Sequence, residues 1–353
     1  MDLKNKFCIK PWNFFEIQEN EIYNCCPTWV NHNYVGKTTE DLNIEEVWNG
    51  DKAQKFRKSI LDGSFKYCNK KLCPAIASNT LPTLDDIRSG KLGSKFSTIL
   101  EFGLIQADKP DTINLCYDRS CNLKCPSCRK DFIYYTKETH EKQFDKLTEI
   151  NKSVLKYIHS EKKKINLIVT GSGDPFGSKH FFDLLKQLSY SRNPLLHVTL
   201  QTNGVLFNKK RWEELQNLHK FHINTIVSLD AGTEEAYNLT RVGGNWNNVN
   251  QNLEFISKLQ KEGKVKDVRL DMVVQYNNYK TIPQFLDIAR KYNFRCSTSR
   301  IVNWGTFTPI EFMKHDIFDE RHPSHNDFLN VLKNIQEYDK LDKGNISDYF
   351  KKW

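Results

Sequence analysis

The sequence predicts an α/β fold: a partial (β/α)6 TIM-like barrel preceded by a small amino-terminal α+β cluster-binding domain. Three observations predict it. After residue 110, β-branched runs of strand length alternate with longer segments of helical apolar spacing. The chemically unusual stretches, CNLKCPSC, GSGDP, TNG and SLDAG, each follow one of those strands, and ligands bind at the carboxyl ends of strands in such folds. The first 75 residues carry cysteines in a different pattern and do not join the alternation.

Six runs serve as the strands: 112–118, 165–171, 196–204, 223–232, 268–277 and 294–303. The turns between them and the intervening helices imply a parallel sheet covered by helices, with a doubly wound open sheet as the alternative. Residues 111–310 are therefore read as the barrel. Residues 1–75 read as a hairpin turning near Glu19 and Asn20, then a helix over IEEVWNGDKAQKFRKSILDG with Val47, Phe56, Ile60 and Leu61 on one side. Trp12 and Trp48 fit the core of this domain. Residues 76–110 connect the two. In the tail, 311–353, Phe328, Val331, Leu332 and Ile335 stand at helical spacing and are expected to pack on the sheet.

Composition narrows the class. The 353 residues hold 52 basic and 43 acidic side chains, a net charge of +9 spread along the chain. Basic runs such as EKKKIN (161–166) and NKK (208–210) flank apolar strands as solvated loop ends, which argues against a nucleic-acid partner. The start, MDLKNKFCIKPW, lacks the apolar core of a signal peptide, and no apolar run reaches the roughly 18 residues of a membrane span. A cytoplasmic location without membrane association is expected. In that compartment ten cysteines point to metal ligands or catalytic thiols in preference to disulfides.

Three of them, Cys121, Cys125 and Cys128, lie within eight residues. A closed zinc or iron–sulfur site takes four protein ligands, so three leave one position open. A zinc knuckle with Cys116 as fourth ligand is the competing reading.

With the motifs that follow, CNLKCPSC resembles the three-cysteine signature of the radical S-adenosylmethionine (radical SAM) enzymes, in the loop after the first barrel strand. GSGDP looks like that family's GGEP motif, and SLDAGTEEAYNLTRVGGNW is similar to its segment at and after the fourth strand. One departure is Ser127, where the family usually has an apolar or aromatic residue. The resemblance implies a 4Fe–4S cluster whose fourth iron takes the amino and carboxylate groups of SAM. Electron entry then cleaves the sulfonium bond to a 5′-deoxyadenosyl radical. It also implies SAM contacts from Gly171, Ser172, Gly173 and Asp174, with Asp174 receiving the ammonium directly. Ser228 and Asp230 would face the ribose and Arg241 the carboxylate, with Thr202, Asn203, Gln275 and Asn277 as strand-end polar groups nearby.

The amino-terminal cysteines resemble a twitch or SPASM-type pattern. Cys8 is followed after eleven residues by Asn20, and Cys25 comes four residues beyond. Asn20 stands where that pattern has a Gly, and Asn tolerates a left-handed turn. Cys8, Cys25, Cys68 and Cys73 would then hold an auxiliary 4Fe–4S cluster, with Cys26 as the alternative to Cys25 and a structural zinc as the alternative to the cluster. Cys68 and Cys73 have four residues between them, where the family more often has two.

Cys296 lies on the sixth strand, where an inward thiol would serve as hydrogen-atom donor to a substrate radical. The expected function is SAM cleavage followed by hydrogen abstraction from an unactivated C–H bond. The resemblance implies redox modification of a sugar or related small metabolite in surface polysaccharide biosynthesis, with reduced flavodoxin or a ferredoxin-type protein as electron donor. A peptide-modifying maturase or an epimerase using Cys296 is the alternative, and a non-catalytic metal-binding interaction protein the second. The sequence shows neither a cobalamin domain nor a leader-peptide-binding domain.

Overall fold

The computed structural model describes residues 2–351. Met1 and the last two residues of the expected tail lie outside the described residues. Two compact units divide the chain. The first comprises residues 1–118, 136–172 and 188–197, the second residues 119–135, 173–187 and 198–353.

The first unit carries β1 (Phe14–Gln18), β2 (Glu21–Tyr23), β3 (Gly36–Lys37), β4 (Thr112–Cys116) and β5 (Ile165–Val169), in the order β5-β4-β1-β2-β3. β1 and β2 form the expected hairpin, with Glu16 opposite Tyr23 and Ile17 opposite Ile22. The hairpin is continuous with the later strands of this unit. β1 pairs in parallel with β4 from Phe14↔Thr112 to Gln18↔Cys116. The cause lies in β1 itself: Phe14, Phe15 and Ile17 put apolar side chains on both of its faces, and its edge needs a covering strand.

The single helix expected after the hairpin is two, Ile44–Trp48 and Asp51–Leu61. They break at Asn49 and Gly50. The Asn49 side chain bonds both the carbonyl and the amide of Ala107, each at 2.9 Å, and its Oδ1 also accepts from Arg57. Arg57 is fully buried and donates to the carbonyls of Pro11, Trp48 and Ile105 as well. Burial without a carboxylate partner pulls its pKa down to about 9. Trp12 and Trp48 are buried as expected, Trp12 stacked on Phe7 at 5.1 Å and Trp48 edge-on to Phe15 at 5.9 Å. Helix Glu141–Ser160 buries Leu147, Ile150, Val154 and Ile158 along one stripe.

The second unit carries residues 198–202 of β6 (Leu196–Thr202), then β7 (His222–Ser228), β8 (Asp267–Val274), β9 (Arg295–Arg300) and β10 (Leu341–Asp342), in the order β10-β9-β8-β7-β6. Pairing is parallel, with Ser228 opposite Asp271 and Leu270 opposite Cys296. Strands β7 and β8 alternate strictly between buried and half-buried positions. One face packs Ile223, Val227, Leu270 and Met272. The other, with that of β9, presents Asn224, Ser228, Arg269, Asp271, Ser297 and Ser299. The tail helix spans His325–Lys333 and buries Phe328 and Leu332. β10, parallel to β9, has no counterpart among the strands expected from sequence. Among the described residues, no helix is long and apolar enough to cross a membrane.

Candidate functional site

The cysteine loop occupies residues 119–135 of the second unit. Its first ligand candidate is pinned by a bridge in which Cys121 N donates to Ile133 O at 2.9 Å. Cys125 opens a single helical turn: its carbonyl accepts from Cys128 N at 2.9 Å and Arg129 N at 3.0 Å. A separation of three residues on such a turn puts Cys125 and Cys128 on the same side. Leu123, fully buried, packs with Cys121, Cys125 and Val205, and Lys124 N ties the loop to Val242 O at 2.8 Å.

Each of the three sulfurs receives an N–H from a different side chain. Asn203 Nδ2 reaches Cys121 Sγ at 3.6 Å, Arg241 Nη1 reaches Cys125 Sγ at 3.7 Å, and Arg129 Nη2 reaches Cys128 Sγ at 3.5 Å. Leu123 N adds a fourth donor, to Cys121 at 3.4 Å. Burial pushes the Cys121 thiol up to about 12, against the opposing charge of Arg129. Such a thiol keeps its proton until a metal displaces it.

Asp174 lies in the same unit and is fully buried. Its Oδ1 accepts from Phe176 N (2.9 Å) and Gly177 N (3.1 Å), and its Oδ2 from Thr202 Oγ1 and Asn203 N, both at 2.8 Å. Both oxygens are thus saturated. Asp174, expected at an ammonium, uses its carboxylate here to knit the loop after β5 to the end of β6. Thr202 spends its hydroxyl on that bond, and Asn203 holds Cys121 and Asn122, the latter at 2.9 Å. Gly173 precedes Asp174 and is half-buried. Gly171 and Ser172 belong to the first unit. A Cβ on Gly171 would meet Cys116 Sγ at 3.1 Å, and Ser172 Oγ donates to Cys116 O at 2.7 Å.

At the end of β7, Asp230 takes a left-handed conformation (φ 56°) and is buried. Its Oδ2 lies 2.7 Å from Arg241 Nη2 and its Oδ1 accepts from Val273 N at 2.7 Å. Asp230, expected at the ribose, anchors Arg241. Arg241 divides its two terminal nitrogens between Asp230 and Cys125, and its buried Nε has no partner. Ser228 ends β7 on the half-buried face. Gln275 is buried, and its amide is capped by Asn278 Oδ1 at 2.8 Å. Asn278, missed at the sequence level in favour of its half-buried neighbour Asn277, also donates to the carbonyls of Asp230 (2.8 Å) and Val273 (2.9 Å). Adjacent asparagines after a strand look alike in sequence, and the register of the turn selects between them.

Cys296 is not brought to this group. It is fully buried on the face of β9 that it shares with Leu270, its sulfur 3.9 Å from Lys340 O and within the field of Arg290 on helix Ile282–Tyr292. Alternation along β9 puts Ser297 and Ser299 on the opposite face.

In the first unit, Cys25 is buried in one core with Phe7, Trp12 and Tyr23, and Cys8, Cys68 and Cys73 pack against that core. They feel one another electrostatically. Burial, with the Cys73 charge adding, pushes Cys8 up to about 11; burial, with Cys8 and Cys73 adding, pushes Cys68 up to about 12. Cys26 is absent from that core. Its thiol pairs with Thr28 Oγ1 at 3.3 Å and feels Glu16. Asn69 N, bonded to Trp29 O at 2.7 Å, ties the segment bearing Cys68 and Cys73 to the turn after Cys26. Among the described residues, no three His, Cys, Asp or Glu side chains are gathered closely enough to hold one metal ion.

No curated protein sequence matches the chain. Among solved structures, Streptococcus suis SuiB bound to S-adenosylmethionine is 16% identical, with a TM-score of 0.44 over 70% of this chain and 52% of that one. The chain thus spans about half the length of that protein. SuiB bound to its precursor peptide SuiA gives 16% identity and a TM-score of 0.43, over 85% and 64% of the two chains. TYW1 with a lysine–pyruvate adduct bound gives 16% and 0.34, over 61% and 69%. The model of the Radical SAM superfamily matches residues 118–316, more than half of the chain and all of the cysteine loop described above. The chain therefore belongs to the Radical SAM superfamily.

Proposed function

We propose that this protein reductively cleaves SAM and abstracts hydrogen from an unactivated C–H bond of a sugar or related small metabolite, in an oxidative step of surface polysaccharide biosynthesis. The observation that carries the reading is the cysteine loop: three thiols within eight residues, each met by its own N–H donor, beside a buried guanidinium with an unpartnered Nε. The residues fit the group the family implies. Cys121, Cys125 and Cys128 would hold three irons of a 4Fe–4S cluster, and Arg241 Nε is the orphaned donor available to an anionic group of SAM. Bound there, cluster and SAM supply one-electron cleavage of the sulfonium and a carbon-centred radical.

The chain's own residues position and shield. Asp174 ties residues 176 and 177 to the end of β6, Asp230 aims Arg241, and Leu123 and Val205 pack with Cys121 and Cys125. The half-buried face of β7–β9, on which Asn224, Ser228, Arg269, Asp271, Ser297 and Ser299 outnumber Ile226 and Val273, supports a hydroxyl-rich substrate over an apolar one. Cys8, Cys25, Cys68 and Cys73 would hold an auxiliary cluster able to take the second electron of an oxidation. A flavodoxin or ferredoxin-type protein would be the electron donor.

Anaerobic reconstitution, iron quantitation and incubation with SAM and dithionite test the reading. About eight irons per chain with 5′-deoxyadenosine formed is the expected result. A protein that binds zinc instead, and forms no 5′-deoxyadenosine, overturns it.

A further inference from the structure

We propose that Arg129 sets the reduction potential of the cluster held by Cys121, Cys125 and Cys128, with Arg241 as its counterpart at Cys125; this rests on the cluster reading above. Three side chains donate to the three sulfurs, and two of those donors are guanidinium groups. Arg129 is 4% exposed. It directly follows Cys128, its amide closes the turn on Cys125 O at 3.0 Å, and its Nη1 donates to Arg119 O at 2.5 Å. With backbone and side chain both fixed, Nη2 is directed at Cys128 Sγ. All three cysteines lie within its electrostatic reach.

Arg241 is built differently. Asp230, 2.7 Å from its Nη2, offsets much of its charge, so it acts on Cys125 chiefly as a hydrogen-bond donor. Reduction adds one electron to the cluster, and that charge spreads onto the sulfurs. N–H donors and a fixed cation favour the reduced form; Cys128 is exposed, and the guanidinium that meets it is buried. Outer groups of this kind tune a metal centre without touching substrate. Arg129 is therefore a positioning residue whose signature is electrochemical.

The experiment compares wild type, Arg129→Met, Arg129→Lys and Lys130→Met, each reconstituted anaerobically and titrated potentiometrically with EPR detection in the absence of SAM. The relevant signal is the one missing from the variant with Cys121, Cys125 and Cys128 all changed to Ala. Arg129→Met is expected to lower the ratio of reduced to oxidised cluster about tenfold at the wild-type midpoint, equivalent to about 59 mV for a one-electron couple. Arg129→Lys, which keeps the charge and loses the planar fork, should fall less. Lys130→Met, on an exposed neighbour, should match wild type.

A purely structural Arg129 would reduce iron content while leaving the midpoint of the loaded fraction unchanged, and that result overturns the proposal. Should Arg129→Met take up no iron, Arg129→Gln carries the same expectation, since it keeps an amide donor and removes the charge. A wild-type protein whose iron is identical to that of the triple cysteine variant overturns the cluster reading itself, and this proposal with it.

Discussion

Arg241 is held between two partners of opposite kind: Nη2 lies 2.7 Å from the carboxylate of Asp230, and Nη1 lies 3.7 Å from the sulfur of Cys125. A buried guanidinium locked by a carboxylate is aimed, so the direction of its remaining nitrogen depends on Asp230. Removing one partner of a buried ion pair costs about 3–5 kcal/mol. Asp230→Ala should lower the thermal midpoint accordingly and weaken SAM binding through Arg241. Calorimetry and equilibrium dialysis with SAM check both, and an unchanged midpoint would show that the pair contributes nothing.

Asp174 makes a sharper distinction. With four donors on a fully buried carboxylate, Asp174→Ala leaves those donors unpaired and should destabilise the fold by about 3 kcal/mol or more. Urea unfolding measures it. A variant with wild-type stability and lost SAM affinity would restore the direct ligand role.

Cys296 should be dispensable for radical formation. Cys296→Ala is expected to cost about 1 kcal/mol, as a small core truncation does, and to form 5′-deoxyadenosine at the wild-type rate. A large fall in that rate at unchanged stability would contradict the reading of Cys296 as a core thiol.

In the amino-terminal unit, Cys25 and Cys26 should part company. Cys25→Ala and Cys8→Ala should each lose the auxiliary iron, about half of the total, whereas Cys26→Ala should retain it. Iron quantitation on the three variants decides the register.

Glu16 predicts a pH dependence. It is 5% exposed, and burial raises its carboxyl above the ordinary value, opposed by hydrogen bonds from Gln18 and Asn114. As pH rises the unfolded chain releases this proton first. Between the ordinary and the raised value the folded state therefore binds more protons, and stability falls with rising pH. Glu16→Gln should lose that slope, gaining on wild type above the window and converging with it below. Thermal midpoints from about pH 4 to pH 8 read the difference, and parallel curves would show that Glu16 ionises normally.

The six barrel strands were legible because the buried runs are β-branched and bounded by turn residues; the observed β4 to β9 fall on the expected positions within a few residues. The cysteine loop was legible because its chemistry is compressed into eight adjacent residues. Arg129 was not, since an arginine after a cysteine carries no signal until the turn directs it back at Cys128. The pairing of β1 with β4 joins residues about one hundred positions apart, and local propensity has no access to that partner choice.

By itself the sequence determined the residue types, the β–α alternation and the superfamily, because periodicity, turn chemistry and a contiguous motif are local properties of the chain. Tertiary structure decided which groups are spent and which remain available. The four donors on Asp174, the ion pair of Asp230 with Arg241 and the burial of Cys296 all follow from partners brought together across the fold. A side chain's function depends on what its polar atoms face, and those neighbours come from distant parts of the chain.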